Sequence, residues 1–536
     1  MTTYNISSYT SNLRFQMRQT DQGGAVFVKN AVVAYQLTAS SFTEITNINY
    51  PSRHTYACST LMHSPASSTA TFRSTTSTSL ASGDSVAIWG ADQGAYNVTT
   101  SITVTSVTTF TYTVTSSPAT PATSTENIFA RGGKTTVPGV VWLNGRMYVQ
   151  DINGPITNSD DDDITSWGAL AFITPEKEPS NPVAIAKSLN YIVSFKEWDT
   201  EFFYDAEIAA PASPLAVVNE SYLKLGCASA DSIVEFDGGI VFMSKRDQLQ
   251  RSREIHVLNG LTPKKISIPE AERLLNADDL TTNYACYLAT AGHQLYTLTL
   301  KSISTTIVYD FNNGNWYEWS FLTAQNTTAV SQLTSEDLVA TATVSSHGFN
   351  DGDPVVIGGA AQAAYNGTFN LTRVDANTFT YPITSFPASP ATGTVTTHSF
   401  DESYFPAVAY ASYQNVDLVL HETNGIIYSL DPDVYQDNLV PINYHIRLSP
   451  WDGGNNKHKM ISRLRVIGDR IDTDLLVRYS DNDSSTYSDY RALDMSVESA
   501  QLSRLGSTRR RVYELRHTDD TAMRVEMLEQ DEKQGN

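Results

Sequence analysis

Cysteine is scarce: Cys58, Cys227 and Cys286 are the only three in 536 residues, odd in number, far apart and without CxxC spacing. That excludes a disulfide framework and a cysteine-based zinc site, and implies free buried thiols in a reducing compartment. Charge is also sparse, at 17% of residues, and cations are the minority. There are 36 lysines and arginines against 57 acidic residues, a net charge of -21 and a pI near 4.8. A surface of that sign repels phosphate, which argues against sequence-independent nucleic-acid binding. It suits a passage through which a polyanion slides, because Lys and Arg contacts would hold the polymer in place. Simple solubility accounts for the charge equally well. No run of about 18 apolar residues occurs, so membrane insertion is not expected. The start, MTTYNISSYTSNLRF, lacks a basic segment followed by an apolar stretch, so no secretory signal and a cytoplasmic synthesis are expected. GxSxG, GxxxxGK[ST] and a helix-opening GxGxxG are all missing, so neither an enzyme nor a cofactor is expected.

What is abundant favours strands: Thr, Ser, Tyr and Val in a chain that is 41% hydrophobic and 10% aromatic. An all-β protein is expected. Its clearest feature is an internal repeat at an offset of 269 residues: Gly83-Asp84-Ser85-Val86-Ala87-Ile88-Trp89-Gly90-Ala91 matches Gly352-Asp353-Pro354-Val355-Val356-Ile357-Gly358-Gly359-Ala360. Tyr96-Asn97 then falls on Tyr365-Asn366, Thr109–Tyr112 on Thr378–Tyr381, and Pro118-Ala119 with Pro121-Ala122-Thr123 on Pro387-Ala388 with Pro390-Ala391-Thr392. Each copy reads as four or five short strands between Gly, Asp and Asn turns, a small β-module set into a larger fold. The expected organisation is an N-terminal β segment of a platform over 1–67, module 1 over 68–127, a β-propeller core over 128–336, module 2 over 337–397, completion of the propeller over 398–460, and a C-terminal antiparallel β region over 461–536.

Asx-Gly turns between β-rich runs recur at Asn144-Gly145, Asp237-Gly238, Asn259-Gly260, Asn313-Gly314 and Asn424-Gly425. Type I′ hairpin turns need positive φ at both central residues, which is why this dipeptide serves. Chained hairpins with an aromatic near the turn suit propeller blades. The strand-strand-turn-strand pattern from Gln294 to Trp319, with Trp316 and Trp319 placed to pack between blades, supports that reading. One short helix is expected over Pro269–Asn276, with Pro at its start and acids in its first turn.

Tyr191–Phe195 followed by Thr200–Tyr204, then Gly226–Ser232, Gly292–Leu298, Tyr309–Trp319 and the basic stretch Ser503–Tyr513 occur together and in order. In these residues the chain resembles the tail nozzle proteins of short-tailed bacteriophages, also called packaged-DNA stabilisation or tail-hub proteins. The resemblance implies a six-fold ring in the virion tail, below the portal and adaptor. It implies a central channel through which genomic DNA leaves without sequence-specific binding, closed until ejection, with tail fibres or spikes as further neighbours.

Four constellations invite a functional reading. Arg504, Arg509, Arg510 and Arg511 form the one basic cluster, and in so acidic a chain an acidic face of a neighbouring subunit or adaptor is the expected partner. Asp160, Asp161, Asp162 and Asp163 lack EF-hand spacing, so a solvated loop, or one facing a channel, is favoured over a cation site. His54 and His63 near Cys58 fit no zinc pattern. Asp310–Trp316 is similar to the Asp-box turn of sialidases, but a single copy reads as a folding element, and glycoside hydrolysis needs two carboxylates at a set separation. As alternatives to a nozzle stand a glycan-binding adhesin, with Trp89, Tyr96 and Tyr365 stacking on sugars, and a propeller glycosidase. The shared Tyr-Asn is expected to fix a turn in each module.

Overall fold

Tyr191-Ile192-Val193-Ser194-Phe195 is apolar at nearly consecutive positions, which in a strand requires both faces to be buried. The computed structural model describes residues 16–20, 25–38, 41–64, 67–236, 239–246, 252–438 and 440–534, and over these the chain is nearly all β. It divides into two units, Met1–Tyr287 and Leu288–Asn536. In the first, four antiparallel meander sheets follow one another: Gln16–Gln19 to Phe42–Glu44, Val141–Leu143 to Asp163–Ile173, Pro182–Ser188 to Leu215–Leu223, and Gly226–Cys227 to Thr262–Lys265.

Consecutive sheets share a core, so each of the two middle sheets enters one core with the sheet before it and another with the sheet after. Phe27, Trp142, Met147, Val149 and Trp167 join the first and second. Tyr148, Ile192 and Phe203 join the second and third, and Val193, Phe195, Phe202, Ile240 and Phe242 the third and fourth. Neighbours in sequence such as Ile192 and Val193, or Phe202 and Phe203, therefore enter different cores. This is the packing of propeller blades. The N-terminal segment, expected as part of a platform, is instead the first of these sheets, because Phe27 and Ala34 are buried against Trp142 and Trp167.

The α-helix spans Pro269–Ala277 and buries Ala271 and Leu275. Arg253 closes its C-terminus by donating to the carbonyls of Leu275 and Asp278, both at 2.6 Å. In the second unit, His293–Leu300, Thr305–Asp310, Asn315–Ala324 and Phe400–Tyr404 lie in one sheet, and Ala407–Tyr413, Val416–His421 and Ile427–Leu430 form another. Trp319 packs edge-on against Phe405 at the start of that next sheet. Trp316 is tilted on Tyr309 of the paired strand. Asn144-Gly145 is a hairpin turn with positive φ at both residues. At Asn259-Gly260, Asn313-Gly314 and Asn424-Gly425 only the glycine is left-handed, so these turns are not type I′. Asp237-Gly238 lies outside the described residues.

The two modules fold alike. In module 1 the sheet order is Thr99–Ser101, Ser85–Trp89, Phe129–Gly133, Arg53–His63, Thr69–Ser74, Thr109–Thr113, Thr103–Ser106. The long strand Arg53–His63 pairs Phe129–Gly133 through its first half and Thr69–Ser74 through its second, with a register shift between Cys58 and Thr60. In module 2 its counterpart is broken into Thr328–Ala329 and Gln332–Glu336, which gives two four-stranded sheets. Both modules are thus longer than expected, about 53–133 and 328–398, because their outer strands come from segments assigned above to the platform and propeller.

Val86, Ile88, Ala91, Tyr96, Ile102, Phe110, Tyr112 and Val114 are buried in module 1, and the residues 269 further on are buried in module 2. The Asn97 side chain bonds both backbone groups of Ala91, at 3.0 and 2.8 Å, and Asn366 does the same to Ala360, at 3.0 and 2.7 Å. Tyr96 and Tyr365 are wholly buried, their hydroxyls donating to Ala119 O and Ala388 O. They cannot stack on a sugar. The Tyr-Asn pair locks the turn, as expected.

The C-terminal region is a sandwich of two sheets and begins at Tyr444 rather than 461. Tyr444–Arg447, Val512–His517, Asp474–Ser480 and Arg491–Asp494 form one layer; Gln501–Ser503, Lys459–Gly468, Ser507–Thr508 and Val525–Gln534 form the other. Ile461, Leu464, Leu475, Val477, Leu493 and Leu515 fill the space between them.

Candidate assembly surfaces

The sandwich contains a buried carboxylate held by an excess of cations. Glu514, 1% exposed, accepts from the Arg478 guanidinium, from the Tyr490 hydroxyl at 2.8 Å and lies 3.3 Å from His445 Nε2 and 3.5 Å from Arg447. Burial opposes its ionisation, but hydrogen bonds from His445 and Tyr490 and the charge of Arg478 prevail and hold it well below the usual carboxylate range. The Arg478 guanidinium lies over both Tyr487 and Tyr490, 4.4 Å from each ring.

Against this framework module 2 is docked. Asp351 accepts from the Tyr490 amide at 2.9 Å, Asp353 pairs with Arg516 at 3.3 Å, and Asn370 accepts from the Thr518 hydroxyl at 2.6 Å. Gly352, at φ +79°, lies so close under the Tyr490 ring that a Cβ would come within 2.5 Å of it. In module 1 the corresponding residues are Ser82, Gly83, Asp84 and Ser101, and nothing would lie within 4 Å of a Cβ on Gly83.

The basic cluster is not one surface. Arg511 is 1% exposed, bonded through two nitrogens to Asp481 at 2.7 and 2.8 Å, with its guanidinium 3.8 Å from the Tyr479 ring. It is a core element, which removes it from the expected interface. Strand alternation places Arg511, Tyr513 and Leu515 on one side, the side that faces the core. Arg504, Arg509 and Arg510 are exposed, and Arg510 makes an exposed pair with Asp483 at 3.2 Å, an interaction of about 0–1 kcal/mol.

Asp160 and Asp163 end the paired strands of one hairpin, and Asp161 and Asp162 form its tip. All four are exposed. The Asp162 amide donates to Gly145 O at 2.8 Å, tying this tip to the neighbouring Asn144-Gly145 turn, and Asn144 in turn bonds Asp205 at 2.9 Å. The Thr165 hydroxyl and amide hold the Asp163 carboxyl below its ordinary range. Among the described residues no group of three His, Cys, Asp or Glu side chains is arranged to hold a metal ion. His54 Nε2 is engaged with Tyr50 O at 3.2 Å. Asp310 accepts the Asn312 amide at 2.8 Å and so shapes its own turn, while His293 Nδ1 lies 2.8 Å from its other oxygen.

Three charged residues outside the constellations named above are buried together. Lys196, Asp199 and Glu201 are each at most 2% exposed, with Lys196 Nζ 2.8 Å from Asp199 and 2.7 Å from Glu201. Burial pushes the Asp199 carboxyl up against the opposing pull of Lys196. The signal was there in part, because Lys196 and Glu201 lie in strands whose apolar residues, Val193 and Phe195 or Phe202 and Phe203, are buried, and a charge buried among them must be paired. Charge is also unevenly distributed. Residues 1–443 hold 21 of the 36 cations and 41 of the 57 acids, whereas 444–536 hold 15 and 16 and are nearly neutral.

Fold and surfaces together define a β-propeller protein that carries two inserted β-modules and a charge-dense C-terminal sandwich. The family model described as Bacteriophage P22 Gp10, beta-propeller, matches residues 17–344, more than half of the chain, and the chain belongs to that family. It is a structural protein of the phage tail. No curated protein matches it. Among solved structures, the designed protein Ika8 is 10% identical over 77% of this chain and 94% of that one, at a TM-score of 0.26. BamB from Moraxella catarrhalis is 10% identical over 78% and 97%, at 0.25, and the phage phi92 endosialidase 9% identical over 81% and 65%, at 0.16. None of these three reaches the level of a shared fold.

Proposed function

We propose that the chain is the nozzle subunit of a short phage tail: a non-enzymatic virion protein, six copies of which ring the DNA exit channel below the portal and adaptor and close it until ejection. The observation that carries this reading, beyond family membership, is the division of charge. Residues 1–443 carry 20 more acids than cations, a balance that lets DNA slide past without being held. The sandwich, with nearly half of the cations in under a fifth of the chain, is the part suited to polar contacts with neighbouring subunits, the adaptor, or tail fibres or spikes.

The test is assembly. Native mass spectrometry of the purified chain is expected to give a hexamer, alone or on portal–adaptor complexes, and R504E/R509E/R510E is expected to lower that assembly. A chain that stays monomeric and never joins those complexes would overturn the reading. Arg511 is left out of the variant because it holds the sandwich core together.

A further inference from the structure

The two modules share a core but not a face. In module 1, Trp89 and Phe129 stand opposite each other on paired strands, stacked with ring centroids 5.8 Å apart and planes 29° from parallel. Trp89 is 40% exposed. Side chains alternate along strands, so Thr55 and Ala57, Ser85 and Ala87, Thr99 and Ser101, and Arg53 and Arg131 are on the same face, in register with the two rings. Two aromatic rings thus stand clear of a floor of small, mostly hydroxylated side chains.

The fold does not require them. At the position of Trp89, module 2 has Gly358, with nothing within 4 Å of where its side chain would be, and the strand beside it presents Thr396 and His398. The buried positions are matched nonetheless. The indole is therefore dispensable to the module's core, and with Phe129 it forms a surface that the sister module lacks at this position.

We infer that the Trp89–Phe129 face of module 1 is a binding platform for polysaccharide. A pyranose ring presents a face of C–H bonds of partial positive charge, which complements the negative face of a π system, and its hydroxyls meet Ser, Thr and Arg donors at the edge. The site is an open strip rather than an apolar basin, which fits a polymer laid across it better than a protein anchored in a pocket. Charge agrees. Between Arg53 and Gly133 three cations, Arg53, Arg73 and Arg131, balance three acids, Asp84, Asp92 and Glu126, and two of the cations are on this face. Acidic cell-surface polymers, which the acid excess of residues 1–443 as a whole repels, are not repelled here, and neutral ones meet no charge barrier.

The inference is independent of the nozzle reading, since it concerns one module's surface and not the ring. The test uses the full chain on an array of bacterial O-polysaccharides and capsular polysaccharides. Binding to at least one is expected, weakened about ten-fold or more by Trp89→Ala and further by Trp89→Ala/Phe129→Ala. The melting temperature should not move, because the sister module folds with glycine there. No binding by the wild-type chain, or binding undiminished in the double variant, would overturn the inference. So would a change in oligomeric state on Trp89→Ala with glycan binding intact, which would assign the rings to a protein contact.

Discussion

Modules 1 and 2 are one fold placed in two settings. Both bury the same eight-residue core at a constant offset, and both fasten the end of a strand with an asparagine. Module 2 spends its rim on the sandwich through Asp351, Asp353 and Asn370. The same rim on module 1 meets nothing at Gly83, and module 1 instead displays the stacked Trp89–Phe129 pair. A repeat therefore tells what the interior must be, and the departures from it tell what each copy is for.

The largest expected effect falls on the side of module 2. Neutralising Glu514 weakens its bonds to Arg478, Arg447 and Tyr490 together, and because Arg478 is a quarter exposed and Arg447 half exposed the cost is about 3 kcal/mol, the low end for a broken buried pair. Glu514→Gln should lower the unfolding free energy of the Leu288–Asn536 unit by that order. Hydrogen exchange should show lost protection in the sandwich and module 2, with module 1 unchanged. Equal loss in both modules would mean that they are not energetically separate.

The same residue gives a pH signature. Its folded carboxyl is held below the ordinary value, so its contribution is complete above the unfolded pKa of about 4.3 and is lost as pH falls through the folded one. The gap in stability between wild type and Glu514→Gln should be full at neutral pH and narrow below about 4.3. A gap that widens in acid would refute the assignment of an ionised Glu514.

Smaller, and equal by expectation, are Asn97→Ala and Asn366→Ala. Each removes a pair of hydrogen bonds at a buried strand end, about 1–3 kcal/mol. Urea unfolding followed by module-specific hydrogen exchange should find the two costs within about 0.5 kcal/mol of each other. A larger gap would show that the shared offset conceals different local packing.

Much of this is legible in the sequence. The offset of 269 located both modules and named their core, since Tyr96, Phe110 and Tyr112 recur as Tyr365, Phe379 and Tyr381. The helix was readable from Pro269 at its start and the acids Glu270 and Glu272 in its first turn. Module limits were not, because strands Arg53–His63 and Phe129–Gly133 bear no repeat signal and join their sheet through pairing distant in sequence. Alternation did point Arg511 inward with Tyr513 and Leu515, but four arginines close together read as a surface. Nothing in the sequence could bury Glu514, whose side of the strand alternates away from the core face and is closed off by Arg478 and Tyr490.

The finest test separates the two rims themselves. Asp353 and Asp84 do the same local job, accepting the Asn350 amide at 2.7 Å and the Ala81 amide at 2.8 Å. An asparagine oxygen can take over that turn bond in either module, so Asp→Asn isolates charge. Only Asp353 has a cation to lose, Arg516 at 3.3 Å, with both side chains largely covered. Asp353→Asn should therefore cost up to about 1 kcal/mol more than Asp84→Asn, which should be close to neutral. The excess should disappear when Arg516→Ala is already present, because a double-mutant cycle returns only the pair's own coupling. An excess that survives that background would mean that module 2 is held to the sandwich by Asp351 and Asn370 alone, with the Asp353 carboxylate serving its turn in the same way as Asp84.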